Sequence, residues 1–144
     1  MLDHAAILVR LPHVNELFER APGILAAYVF GSVLADDRES IRDVDFAVLA
    51  RHPLSLAETG NLLLELERVL GTDQIDVVDL RTARGELRFE VLSQGRLLVE
   101  RDADAHARFR ERVLHDHLAT RHRTQVYRSL LQQEFHRSYA HATR

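Results

Sequence analysis

The stretch "FGSVLADDRESIRDVDFAVLA", Phe30 to Ala50, decides how the rest of this chain is read. It places a Gly-Ser turn at the end of one apolar run, then a polar loop, then two aspartates at the head of the next apolar run. Buried strands ordinarily exclude charge, because an unpaired ion loses its hydration there. Alternate side chains of a strand share a face, so Asp43 and Asp45 point the same way with Cα atoms about 6–7 Å apart. Val44 lies between them and faces the other way, and Phe46 and Val48 extend that apolar side. Two carboxylates on one face are stable when they share a divalent cation that prefers oxygen. Mg²⁺ is the usual candidate, since it binds through one or two carboxylates plus substrate phosphates.

A third carboxylate, Asp76, interrupts a later apolar run, "IDVVDL" (Ile75 to Leu80). Its apolar neighbours predict a buried strand, in which Asp76 is out of place as a core residue. If that strand pairs beside the Asp43–Asp45 strand, three carboxylates converge. That is the composition of a two-metal site, with ions roughly 3.5–4 Å apart, for in-line displacement at phosphorus. Asp76, next to an incoming hydroxyl, would also serve as general base. Gly31 permits close backbone approach, and the Ser32 hydroxyl with backbone N–H groups at a helix start favours an anionic phosphate. Asp79 has odd spacing from Asp76 and reads as a strand-end turn residue on the opposite face.

Around this centre the chain alternates helices and strands. "HVNELFER" (His13–Arg20) has helical spacing at Val14, Leu17 and Phe18, and "APG" stops it. "ILAAYVF" (Ile24–Phe30) and "DVDFAVLA" (Asp43–Ala50) predict strands, with Ser32 capping a short helix through Asp37 between them. Ser55–Gly71 predicts a helix with Ser55 as N-cap, Glu58 three residues on and Gly71 as the stop. Gln74–Leu80 predicts a strand, Gly85–Gly95 a helix and Arg96–Glu100 a short strand. From about Ala103 the sequence lacks proline and glycine. Phe109, Val113, Leu114 and Leu118 form one apolar stripe, and Tyr127, Leu131, Phe135 and Tyr139 form another at i, i+4 spacing. One long helix, or two with a bend near Thr120, fits. The order predicts a mixed α/β or α+β domain: a small sheet flanked by helices over residues 1–102, with 103–144 as a helical C-terminal extension.

Bulk properties exclude several classes. The 144 residues suffice for one domain with a real core. With no cysteine, neither a disulfide nor a thiolate metal site is possible. The start carries Asp3 where a signal peptide would be basic, and no apolar run approaches a membrane span, so a cytoplasmic protein is expected. The net charge of −3 divides unevenly. Residues 1–100 hold 10 Arg and 17 acids, giving −7; residues 101–144 hold 9 Arg and 5 acids, giving +4. An acidic body with a basic tail hints at a partner surface, and is not the footprint of a dedicated nucleic-acid binder. Within "HDHLATRH", His115 and His117 lie about 200° apart on a helix, and His122 is two turns from His115, so a solvated face is expected rather than a zinc site.

Taken together, Gly31-Ser32, ten residues, Asp43-Val44-Asp45 and then "IDVVDL" resemble the minimal nucleotidyltransferases of the DNA polymerase β-like superfamily. The length, "FEVLSQGRLLVERD" and the helical tail are similar to the subgroup paired with HEPN-domain toxins in prokaryotic toxin–antitoxin modules. The resemblance covers residues 24–102, and the tail by character. It implies Mg²⁺-dependent transfer of AMP from ATP to a tyrosine hydroxyl of a partner HEPN ribonuclease, which silences it. It implies Gly31 and Ser32 for the phosphates and Asp43, Asp45 and Asp76 for the metals. Relatives often carry a basic residue and a glycine soon after the Gly-Ser, where this chain has Val33, Leu34, Ala35 and Asp36. The residue before the first Asp is often Ser and here is Arg42, leaving Arg38 or Arg42 to meet the triphosphate charge. Two other readings stand beside this one. A small-molecule hydroxyl as acceptor is disfavoured by the lack of a second substrate domain. A non-catalytic module that masks its partner is consistent with the missing basic residues after Ser32.

Overall fold

The structure, a computed structural model, describes residues 3–35 and 42–142, with the backbone alone at residues 138, 139, 141 and 142. The side chain of Tyr139, and Asp36, Asp37 and Arg38, lie outside the described residues. Four strands form one sheet: β1 (Ile24–Phe30), β2 (Val44–Ala50), β3 (Ile75–Asp79) and β4 (Arg96–Glu100), in the order β3-β2-β1-β4. β1 runs antiparallel to β2 and β4, while β2 and β3 are parallel. The helices are α1 (His4–Arg20), α2 (Leu56–Leu70), α3 (Gly85–Gln94) and α4 (Ala103–Ala142). This is the mixed α+β architecture expected from the sequence.

The alternation within β2 sorts the core into two layers. Val44, Phe46 and Val48 face α1 and α2, and pack with Val14, Phe18, Leu62 and Leu66. Ala47 and Leu49 face α3 and α4, and pack with Tyr28, Phe30, Val91, Phe109 and Val113. Asp45 shares the second face by strand parity, so it stands at the mouth of the α3/α4 layer.

Local chemistry accounts for the boundaries. α2 opens on a capping box, in which the Ser55 hydroxyl accepts from Glu58 N–H and the Glu58 carboxylate accepts from Ser55 N–H. It closes on Gly71 in the left-handed region. α1 starts nine residues before the predicted His13, because the Asp3 side chain caps it at Ala5 N–H and Pro12 sits within it on an exposed face. A proline within a helix need not break it when Leu11 and Val14, on either side of it, are buried in the core. The tail is one continuous helix, with no break at Thr120.

β3 corrects the reading of Asp76 as a carboxylate in a buried strand. β3 is an edge strand, Val77 and Val78 are only half-buried, and Asp76 is exposed. Asp79 is structural: its carboxylate accepts from Leu54 N–H at 2.8 Å and Arg81 N–H at 3.0 Å, tying the end of β3 to the start of α2.

A buried polar chain, absent from the sequence reading, roots α4. His106 is fully buried. Its Nδ1 donates to the Glu100 carboxylate at 2.5 Å, which leaves Nε2 to accept from the Tyr28 hydroxyl. Burial pushes the Tyr28 phenol up to about 12, with the nearby Arg110 opposing and Glu100 reinforcing the shift, so it remains a donor at ordinary pH. Tyr28→Phe leaves His106 Nε2 buried without its partner. Urea unfolding should show a loss of about 1–3 kcal/mol.

Candidate active site

The end of β1 turns through a four-residue 3₁₀ helix, Gly31–Leu34. Gly31 takes φ +80°, a region that side chains with a Cβ enter at a cost. A second constraint acts on the same residue: a Cβ there would overlap Oδ2 of Asp45. The turn therefore needs glycine both for its backbone and to leave the Asp45 carboxylate its space. His4 secures the turn from α1, its Nε2 bonding the Val33 carbonyl at 2.8 Å.

The predicted cap role of Ser32 does not hold. The N-cap position is Phe30, with no side-chain cap. The Ser32 hydroxyl instead reaches the carbonyl of Asp43 at 3.4 Å, linking the turn to the head of β2. The part of that predicted helix running to Asp37 lies outside the described residues.

Parallel pairing of β2 and β3 puts Asp45 directly opposite Asp76, with Val44 opposite Ile75 and Phe46 opposite Val77. Adjacent strands lie about 4.8 Å apart, so these two carboxylates are neighbours. Asp43 precedes β2 on the same face and is exposed, as is Arg42. On the other side Phe30 is the register partner of Asp45.

The electrostatics follow from that crowding. Asp45 is raised from 3.8 to about 6, first by burial, then by the charges of Asp76, Asp43 and Glu90. Glu90 was missed by the sequence reading. It reaches the site because α3 carries the chain from the end of β3 back to the start of β4, whose first residue pairs with Val29 near the end of β1. Glu90, in the second half of α3, is thereby near enough for its charge to act on Asp45. In sequence Glu90 is one polar residue between Phe89 and Val91, and no local pattern marks it.

Among the described residues no three carboxylate or imidazole groups are drawn together tightly enough to cage an ion on their own. The expected solvated histidine face is also corrected in part. His115 is exposed beside Asp116, whereas His117 stacks flat on Phe89 of α3, with ring centroids 3.6 Å apart.

This arrangement is that of a nucleotidyltransferase. Residues 13–104 match the family model described as "Polymerase beta, Nucleotidyltransferase", and the chain belongs to that family. A protein adenylyltransferase, MntA of Shewanella oneidensis, is 34% identical over 85 residues, a match spanning 59% of this chain and 60% of that relative's length. Among solved structures, a tri-AMPylated Shewanella oneidensis HEPN toxin in complex with its MNT antitoxin superposes with a TM-score of 0.65 at 24% identity, over 83% of this chain and 92% of the other. A toxin–antitoxin structure with AMP-PNP superposes with a TM-score of 0.63 at 25% identity, over 87% and 94%.

The raised Asp45 sets a sign for stability. The folded state holds the proton more tightly than the unfolded chain, so between about 4 and about 6 stability falls as pH rises. Asp45→Asn should therefore raise the melting temperature of the metal-free protein at pH 7.5, and the gain should fade as the pH is lowered toward 4. Gly31→Ala meets both the positive φ and the carboxylate, and should cost about 1–3 kcal/mol in chemical denaturation.

Proposed function

We propose that this chain is an antitoxin that transfers AMP from ATP to a tyrosine hydroxyl of a partner HEPN toxin, acting in the cytoplasm. The observation that carries the reading is the register of Asp45 against Asp76 beside the Gly31 turn. The adenylyltransferase relative and the toxin-bound neighbours support the choice of nucleotide and acceptor. No helix among the described residues is long and apolar enough to cross a membrane.

The donor set suits Mg²⁺. Asp43, Asp45 and Asp76 offer only carboxylate oxygens, and a cation of that hardness relieves the mutual repulsion that raises Asp45. Bound there, one or two such ions supply Lewis-acid neutralisation of the phosphates and activation of the acceptor. Gly31 gives the Asp45 carboxylate its space beside the turn, and Ser32 holds the turn against the Asp43 carbonyl. Arg42, exposed next to Asp43 at the head of β2, is assigned to the triphosphate. Arg38, the other candidate, lies outside the described residues. In the transfer the tyrosine oxygen forms a bond to the α-phosphorus, the bond to the β-phosphate oxygen breaks, pyrophosphate leaves, and the tyrosine proton passes to the Asp76 carboxylate.

A masking role without transfer has one observation in its favour: buried Val33 and half-buried Leu34 follow Ser32, where a cation would otherwise serve the phosphates. Intact mass of the HEPN protein co-expressed with this chain separates the two. AMP-sized increments that disappear with Asp43→Asn/Asp45→Asn are expected. Tight co-purification with no increment would assign masking instead.

A further inference from the structure

The body of the protein ends well before α4 does. Among the described residues Val113 is the last that is buried, and from Leu114 onward none of the described side chains is buried. Past Thr120, which still borders α3, the 22 helical residues 121–142, roughly 33 Å at 1.5 Å per residue, project beyond the core. They are not a solvated polar rod. Leu118 is 56% exposed, Tyr127 63%, Leu130 55% and Leu131 49%, with Val126 beside them. Tyr127 and Leu131 stand eighteen residues beyond Phe109 and Val113, which is five turns, so they continue the face that docks on the body. Val126 and Leu130 widen the stripe.

Arginines frame it. Arg123 precedes Tyr127 by one turn and Arg137 follows Leu130 by about two, while Arg121 and Arg128 flank the stripe beyond Leu131. From Leu118 to Ala142 there are four arginines and one acid, Glu134. Four arginines against one acid leave a net +3 on each tail, which counts against a second copy. An antiparallel pair centred on Leu130 sets Arg123 against Arg137 of the other chain, and a parallel pair sets each arginine against itself. Both self-pairings bring like charges together. An apolar seam bordered by cations fits a groove with an apolar floor and acidic walls.

We propose that the projecting half of α4, through Tyr127, Leu131 and the arginines around them, is the element that docks the partner toxin, in an acid-walled groove of that partner. This rests on the partner reading above and adds which surface performs it. The docking element is also separate from the chemistry. The projection leaves the body at the first turn of α3, where Arg84 and Gly85 line one cavity with Asp116, His117 and Thr120, whereas Glu90, later in the same helix, is near enough for its charge to act on Asp45.

The test is titration of the full-length chain with the HEPN protein, followed by calorimetry and gel filtration with light scattering. Tyr127→Asp/Leu131→Asp should weaken the complex by ~100-fold or more, while the melting temperature and uptake of Mg²⁺-ATP stay at wild-type values. Arg123→Glu/Arg128→Glu should weaken it by ~10-fold or more at 0.15 M salt and flatten its salt dependence. Asp43→Asn/Asp45→Asn should bind the toxin as wild type does. Wild-type affinity in both α4 variants would overturn the docking assignment and leave the partner reading standing. A wild-type dimer dissolved by the same α4 substitutions would make a second copy the occupant and overturn it too. A wild-type chain with no affinity for the HEPN protein would remove the partner reading and the docking assignment together.

Discussion

Like charge held together against its own repulsion is the constraint on which the rest of the site depends. Asp45 and Asp76 face each other across a parallel strand pair, and burial of Asp45, followed by the charges of Asp76, Asp43 and Glu90, makes it hold its proton to about 6. Nothing local favours this. It persists because the apolar side of β2 has no freedom to move. Val44, Phe46 and Val48 are fully buried against α1 and α2, and a slip of one residue would turn all three to the other face. The hydrophobic layer on one side of the sheet thus fixes the carboxylates on the other. Stability given up at such a place is the usual signature of a site built for a ligand that repays it.

Much of this frame was legible in the sequence, because its signals are local. The capping box at Ser55, the stop at Gly71, the apolar alternation of β2 and the Gly-Ser turn each act within a few residues. What the sequence hid was set by contacts between distant segments. Asp76 looked buried because Ile75, Val77 and Val78 surround it, yet the strand order leaves β3 at an edge, and the residue opens to solvent. α1 begins nine residues before the His13 read from the sequence, because burial of Ile7 and Leu11 carries the helix back to its Asp3 cap. Glu90 joins the site only because the route of α3 returns it to the head of the sheet. His106, among nine histidines, is distinguished by partners 78 and 6 residues away, which no spacing rule could select.

The sheet divides labour between its faces. One face is closed by α1 and α2 and contributes rigidity. The other is covered only in part by α3 and α4, so the carboxylates sit at the rim of a packed layer rather than inside it. That position is a compromise a nucleotide site requires. Burial raises the effect of each charge, and exposure of Asp43 and Asp76 keeps an entrance for an anionic substrate and its cation.

The root of α4 gives the projecting half its meaning. An isolated helix of some 22 residues rich in arginine, histidine and glutamine gains little from propensity alone, and in water it would sample many conformations. Here the first three turns are committed by Phe109, Val113 and the Tyr28–His106–Glu100 chain, so the costly nucleus is already formed when the projection begins. His117 stacked on Phe89 adds one more point of attachment just before the helix leaves α3. The body thereby carries ordering entropy that a free tail would have to lose on meeting a partner, and it sets the rotation at which Tyr127 and Leu131 are presented. A change at His106 would act on that rotation from about six turns away without touching the exposed stripe itself. The buried polar chain and the exposed apolar seam are, in this sense, two ends of one rigid element.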